Sequence, residues 1–282
     1  MTDQREDPSG IDRITARNGT GAVDAPVIYG KTMRLDILLN LQDEIAAGKD
    51  DLFFVILHQC HELWFKLILH ELENARNHIA AGDLADAIEE LERVRQVERS
   101  LVEQVSSLAT LSPASFDVIR GYLGTSSAFQ SAQFREIEFL SGLKDPRFLV
   151  ESFFSEPERE RLHRRYQEPS LQETFEDLLA KRGVDDVLSA LRSAENSDLL
   201  SLARALLAHD EGLREWRDRH LEMVGRLIGH KSGTGGTSGL PFLRATLTKT
   251  FFPALGEIRS QLTRVGDDDL DDLTTGRNRE AL

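Results

Sequence analysis

The sequence predicts an all-α protein built as a helical bundle, and three observations carry that expectation. Apolar residues recur at spacings of three and four over long stretches. No stretch sustains the period-two alternation of a half-buried strand, and no internal repeat is detectable. Residues 1–26 are polar, with scattered Gly, Pro and Asp, and read as a disordered or partner-dependent arm. From about Asp51 to His78 the chain is apolar on more than one face, which predicts a central helix. Leu84, Ile88, Leu91, Val94, Val97, Leu101, Val105 and Leu108 trace one face of a long amphipathic helix. Ser112-Pro113 is a helix start, with serine as cap and proline in the first turn. Residues 141–197 carry Pro146, Pro157 and Pro169 among many charges, the pattern of shorter helices and loops. A last long helix is expected from Leu199 to Ile228, stopped by Gly229. Beyond about Val265, Gly266-Asp267-Asp268-Asp269 and Asp271-Asp272 read as a solvated acidic tail, covering 265–282. A single domain over 27–264 is the expectation.

Composition narrows the function classes. The 282 residues are 40% hydrophobic and 29% charged, an ordinary globular profile with ample material for a core. The longest uninterrupted apolar run, Leu52 to Leu57, is far too short to span a bilayer, so no membrane partner is expected. The polar N-terminus lacks the apolar core of a secretory signal, which makes the cytoplasm the expected location. A net charge of −14 weighs against nucleic acid, whose phosphates are bound by neutralising Lys and Arg. Cys60 is the sole cysteine, so an intrachain disulfide is excluded.

Three segments carry candidate chemistry. Leu213, Trp216, His220, Val224 and Leu227 share one helix face, which sets His220 in an apolar stripe. Such a histidine ligates a metal or haem, or sits in the core as a hydrogen-bonded residue. The loop Gly233-Thr234-Gly235-Gly236-Thr237-Ser238-Gly239 follows. It comes after a helix rather than a strand and lacks a Gly-Lys-Ser/Thr ending, so it is neither a P-loop nor a Rossmann loop. Its glycines let backbone approach a ligand and Thr234 offers a hydroxyl; the plainer alternative is a flexible surface loop. In the second segment Phe54, His58 and Glu62 lie one turn apart on one face. His61 points away from both, so the three do not converge on an ion, and a buried hydrogen-bond network is the alternative. In the third segment Phe116, Arg120 and Leu123 share a face, and an arginine so placed pairs with a carboxylate that is either internal or a ligand's.

Taken in order, these segments resemble the tryptophan 2,3-dioxygenase family from about Tyr29 to about Leu262. The resemblance rests on Tyr29 with Arg34-Leu35-Asp36-Ile37-Leu38-Leu39-Asn40-Leu41-Gln42, and on Phe54-x-x-x-His58-Gln59-x-x-Glu62-Leu63-Trp64. It continues through Arg120, Phe129-Gln130-Ser131-x-Gln133-Phe134-Arg135, Trp216-Arg217-x-x-His220, the glycine loop and Phe251-Phe252-Pro253. It implies an α-helical enzyme, a homotetramer or homodimer, that uses haem b and O2 to open the indole ring of L-tryptophan, giving N-formylkynurenine. It further implies that His220 is the axial iron ligand, with Trp216, Gly233 and Gly235 also against the haem. Phe54, His58, Phe116 and Leu123 would line the substrate pocket, with His58 taking the indole N–H. Arg120 would clamp the substrate carboxylate, Thr234 would meet the amino-acid end, and Tyr29 would reach a neighbouring subunit's site.

The chain departs from the family pattern at Thr32 and Met33, where a second tyrosine and a leucine are usual, and at Ala128, where glycine is usual. The stretch between Arg120 and His220 is also shorter. Thr32 opens the pocket wall, and a methyl at Ala128 reshapes it if that backbone is tight or has positive φ. These departures raise an alternative: mono-oxygenation of a substituted tryptophan, such as a β-methyl one, to a 2-oxindole-type product.

Overall fold

A computed structural model of the chain describes residues 28–43 and 48–264. The expected N-terminal arm and the acidic tail lie outside them. Chain contacts divide the molecule into two units after Leu41, within the span expected as one domain.

The first unit holds two single-turn helices, α1 (Tyr29–Thr32) and α2 (Leu35–Leu38). They are separated by Arg34, whose left-handed backbone (φ 52°) interrupts the helix. Its apolar side chains point to solvent: Ile28, Tyr29, Met33, Ile37, Leu39 and Leu41 are all exposed.

The second unit is helical throughout, and no strand occurs among the described residues. It begins with the long pair α3 (Asp51–Ala81) and α4 (Leu84–Leu108). Gly82 joins them in a left-handed conformation (φ 90°), returning its N–H to the His78 carbonyl at 2.9 Å. The short α5 (Pro113–Leu123) starts as expected, with Ser112 Oγ accepting from the Ser115 N–H at 3.0 Å and Pro113 in the first turn. Then come α6 (Ala132–Ser141), α7 (Glu156–Gln167), α8 (Leu171–Lys181) and α9 (Val187–Arg192), the shorter pieces expected of the proline-rich middle. The second long hairpin arm is α10 (Ser197–Ile228), capped by Gly229. α11 (Leu240–Thr246) and α12 (Pro253–Arg264) close the fold.

α3, α4 and α10 pack side by side, and the periodic leucines explain why. Leu91, Leu101, Leu199, Leu202, Leu206 and Leu213 are fully buried between these helices. Each such side chain contributes about 1.5–3 kcal/mol relative to leaving it in water. α3 is long and apolar enough, by length and composition, to cross a membrane. Here it packs against α4, α6 and α8, although Leu52, Ile56 and Leu63 on its outer face stay exposed.

A buried polar network ties α4, α6 and α10 together. The Ser141 hydroxyl donates to His209 Nε2 at 2.9 Å, and His209 Nδ1 donates to Glu98 at 2.6 Å. All three side chains are shut off from solvent, and burial holds the Glu98 carboxyl above its ordinary pKa. Gly212 makes this contact possible, since a Cβ there would lie 1.9 Å from a Glu98 carboxylate oxygen. Further along α10, Asp210 accepts the hydroxyl of Thr250 and the backbone N–H of Phe251, fixing the segment that leads into α12. These links hold the His220 turn of α10 against α3 and α6.

Candidate functional site

The lower halves of α3 and α10, with α5, α6 and the loop after α10, enclose a cavity of about 660 Å³, within the usual range of about 300–1,000 Å³ for small-molecule sites. Its wall is mostly apolar, built from Phe54, Val105, Leu108, Phe116, Met223 and Leu227. Of the residues singled out in the sequence, Phe54, His58, Phe116, Arg120, Leu123, Trp216, His220, Gly233 and Thr234 all line it. Gly235 does not: its Cα turns to Ser127, whose side chain a Cβ would meet at 2.9 Å. Tyr29 is exposed in the first unit.

Two imidazoles enter from α3. His58 and His61 each donate Nδ1–H to the carbonyl one turn earlier, of Phe54 and Leu57, both at 2.8 Å. A carbonyl only accepts, so Nδ1 carries the proton and each Nε2 keeps a lone pair. Burial lowers both pKa values, so both rings are neutral near neutral pH. The Phe54 ring lies 4.0 Å from His58, centroid to centroid, and fixes its plane. Among the described residues, no group of three or more metal-ligating side chains converges.

His220 enters from α10. Its ring is stacked on Trp216, centroids 5.2 Å apart and planes within 11°. Neither ring nitrogen has a hydrogen-bond partner among the described residues, so the alternative of a hydrogen-bonded core histidine does not hold. The ring lines the cavity. Burial, and then the neighbouring His58 and His61, push its pKa down to about 4. The sign of the resulting pH dependence follows. The unfolded chain protonates this residue near 6.5 and the folded chain near 4. Between these values the unfolded state binds more protons, so the ligand-free protein loses stability as pH falls from about 6.5 towards 4, and not above. Thermal melts across this window should show that slope, shallower in His220→Gln; the same slope in both would assign it elsewhere.

Arg120 projects from α5. Among the described residues it has no carboxylate partner, which rules out the internal ion pair; Nη2 donates instead to the Ser232 carbonyl of the glycine loop. Ala128 lies in a 3-10 turn (Ala128–Gln130) on ordinary negative-φ backbone, since Arg34 is the one positive-φ non-glycine residue described. Ala128 therefore carries no left-handed backbone strain, and it lines the cavity.

A charged cluster also lines the cavity without having been singled out. Arg135 donates to Glu138 at 2.5 Å, and Arg217 donates to the same carboxylate at 3.1 Å and to the Lys249 carbonyl at 3.3 Å. The Arg135 guanidinium sits 4.5 Å over the Phe148 ring and 4.8 Å over Phe134. The run from Phe129 to Arg135 had marked the segment but given no residue in it a role. Gln133 stitches it to α3, donating to the Glu62 carbonyl at 2.9 Å and the Glu62 carboxylate at 2.8 Å.

Comparison with known proteins covers this whole wall. Residues 15–186 and 180–262 match the family model described as tryptophan 2,3-dioxygenase. The tryptophan 2,3-dioxygenase of Saccharopolyspora erythraea is 40% identical over 259 residues, covering 83% of this chain and 92% of that protein. The enzyme of the same name from Herpetosiphon aurantiacus is 39% identical over 257 residues, covering 83% and 98%. That of Pseudomonas aeruginosa is 36% identical over 257 residues, covering 83% and 89%. Because the match runs through the cavity from Phe54 to Lys249, the chain belongs to the tryptophan 2,3-dioxygenase family.

Proposed function

We propose that this protein opens the indole ring of L-tryptophan with O2, giving N-formylkynurenine, on a haem b ligated by His220. One observation carries the reading: one apolar cavity holds both a neutral imidazole and a guanidinium that find no hydrogen-bond or carboxylate partner, respectively, among the described residues.

The residues present fit a haem. His220 offers a neutral nitrogen that no described residue uses, in a pocket whose apolar wall suits a flat macrocycle. Trp216 Nε1 and Arg135 Nε are buried donors without acceptors, and the carboxylates of the group would supply them. Bound ferrous haem brings the O2 activation that no side chain here provides.

The chain's own residues bind and orient the substrate. The Arg120 fork matches a carboxylate with two parallel hydrogen bonds, and Thr234 offers its hydroxyl beside it. His58 Nε2 accepts the indole N–H, a role its Nδ1 bond to Phe54 leaves open. Phe54, Phe116 and Leu123 exclude water and hold the ring plane.

The mono-oxygenase alternative is not favoured. The similar proteins are tryptophan 2,3-dioxygenases, and Ala128 carries no left-handed backbone strain. The deciding experiment is the product mass after ferrous, haem-loaded protein meets L-tryptophan under isotopically heavy O2. Two labelled oxygens with ring opening are expected. One labelled oxygen would overturn the dioxygenase reading.

The working form is an oligomer of this chain, a tetramer or dimer. Leu52, Ile56 and Leu63 on α3 and Val118 and Tyr122 on α5 are exposed, as are the apolar residues of the first unit around Tyr29. Apolar surface of this kind marks protein contacts. Sedimentation should give a multiple of the protomer mass, and a monomer at enzymatic concentrations would remove this part of the proposal.

A further inference from the structure

Two successive turns of contact join α5 to the glycine loop. Asp117 and Arg120 are three residues apart and share a helix face. Lys231 Nζ lies 2.7 Å from each Asp117 carboxylate oxygen, and the adjacent Ser232 carbonyl accepts from Arg120. Adjacent loop residues are thus pinned to one face of one helix.

Beyond Ser232 the loop closes on itself. The Gly233 N–H donates to the Thr237 carbonyl at 3.0 Å. The neck is tight: a Cβ on Gly239 (φ 74°) would lie 2.6 Å from the Lys231 carbonyl, so glycine is required there, and one on Gly233 would displace the Thr237 hydroxyl. Residues 233–237 therefore form a small closed ring, which carries Thr234 and rests on Ser127 at its far side. A compact ring moves as a body, so its tether decides where Thr234 sits.

From this geometry we propose that Lys231 and Asp117 are positioning residues for substrate recognition. Their ion pair sets the spacing between Arg120 and Thr234, and so the fit of the amino-acid end of the substrate. The inference rests on the assignment of Arg120 and Thr234 to that end. Two physical arguments support it. When Arg120 turns its fork to a carboxylate, its hold on Ser232 weakens, and the Lys231–Asp117 pair remains to keep the loop in place. The pair also neutralises Lys231, which leaves Arg120 as the cation for an incoming carboxylate; a freed lysine would compete for it.

Both side chains are about half exposed, 54% and 46%. A pair of that kind is worth up to about 1 kcal/mol, which converts to about a two- to fivefold effect on affinity. The test uses the full-length, haem-loaded protein with L-tryptophan. Lys231→Ala and Asp117→Ala should each raise KM about two- to fivefold, with kcat and the haem spectrum near those of the parent. The swapped double variant Lys231→Asp/Asp117→Lys should bring KM back towards the parent value. An unchanged KM in both alanine variants, or a swap no better than the single changes, would overturn the latch. Failure of the underlying assignment reads differently, because Arg120→Lys would then also leave KM unchanged. If the latch alone fails, Arg120→Lys raises KM and the Lys231 and Asp117 variants do not.

Discussion

His220→Ala is expected to give a folded protein that takes up no haem and turns over no L-tryptophan. The ring stands against the cavity, stacked on Trp216, and makes no hydrogen bond whose loss would unfold α10. Removing it costs one aromatic contact, worth about 0.5–1.5 kcal/mol. What disappears is the neutral nitrogen, present at working pH because burial holds the pKa at about 4. His58 and His61 enter from α3 and are held there by their Nδ1 bonds, so neither can move to the α10 position that the ring leaves. Titration with haemin should therefore show no Soret band of a histidine-ligated haem. The cavity left by the ring has room for a free imidazole, which should restore the band when added. A band of parental intensity in the variant without imidazole would show that another residue ligates the iron.

Arg120→Lys is expected to weaken L-tryptophan binding by about 10- to 100-fold. A charge-assisted hydrogen bond is worth about 1.5–3 kcal/mol, and each 1.4 kcal/mol is a factor of about ten. Lysine keeps the charge but presents a point rather than a fork, so the bidentate geometry is lost. Its ammonium also reaches the Ser232 carbonyl less readily, which loosens the glycine loop. The effect belongs to ground-state binding, so equilibrium titration followed through the haem spectrum measures it directly, and kcat changes less. Tryptamine, which lacks the carboxylate, supplies the control: its affinity should not distinguish the two proteins. Equal loss for both ligands would mean that Arg120 supports the pocket rather than clamping the acid.

Helix positions were legible because their causes are local. The leucines of α4 recur at helical spacing, Ser112-Pro113 caps α5, and Gly229 ends α10 one residue after Ile228. The nine singled-out residues that line the cavity were found through motif order, since no periodicity distinguishes a cavity histidine from a core one. Arg135 and Arg217 stood in the quoted motifs without a role and their partner Glu138 was not marked, because α6 buries its charged residues along with its apolar ones. A short helix that is buried all round has no polar face to mark what it does.

The sequence by itself determined the helical class, the long helices and which side chains share a face of each helix. Those follow from periodicity and capping, which act within a few residues of chain. Only the tertiary structure decided that, among the described residues, Arg120 has no carboxylate partner and His220 no hydrogen-bond partner. It alone showed Gly212 letting α4 and α10 close over Glu98, and Lys231 reaching Asp117 across 114 residues of chain. Each of these depends on which helices pack together, and an unmet donor or a close approach exists only once they have.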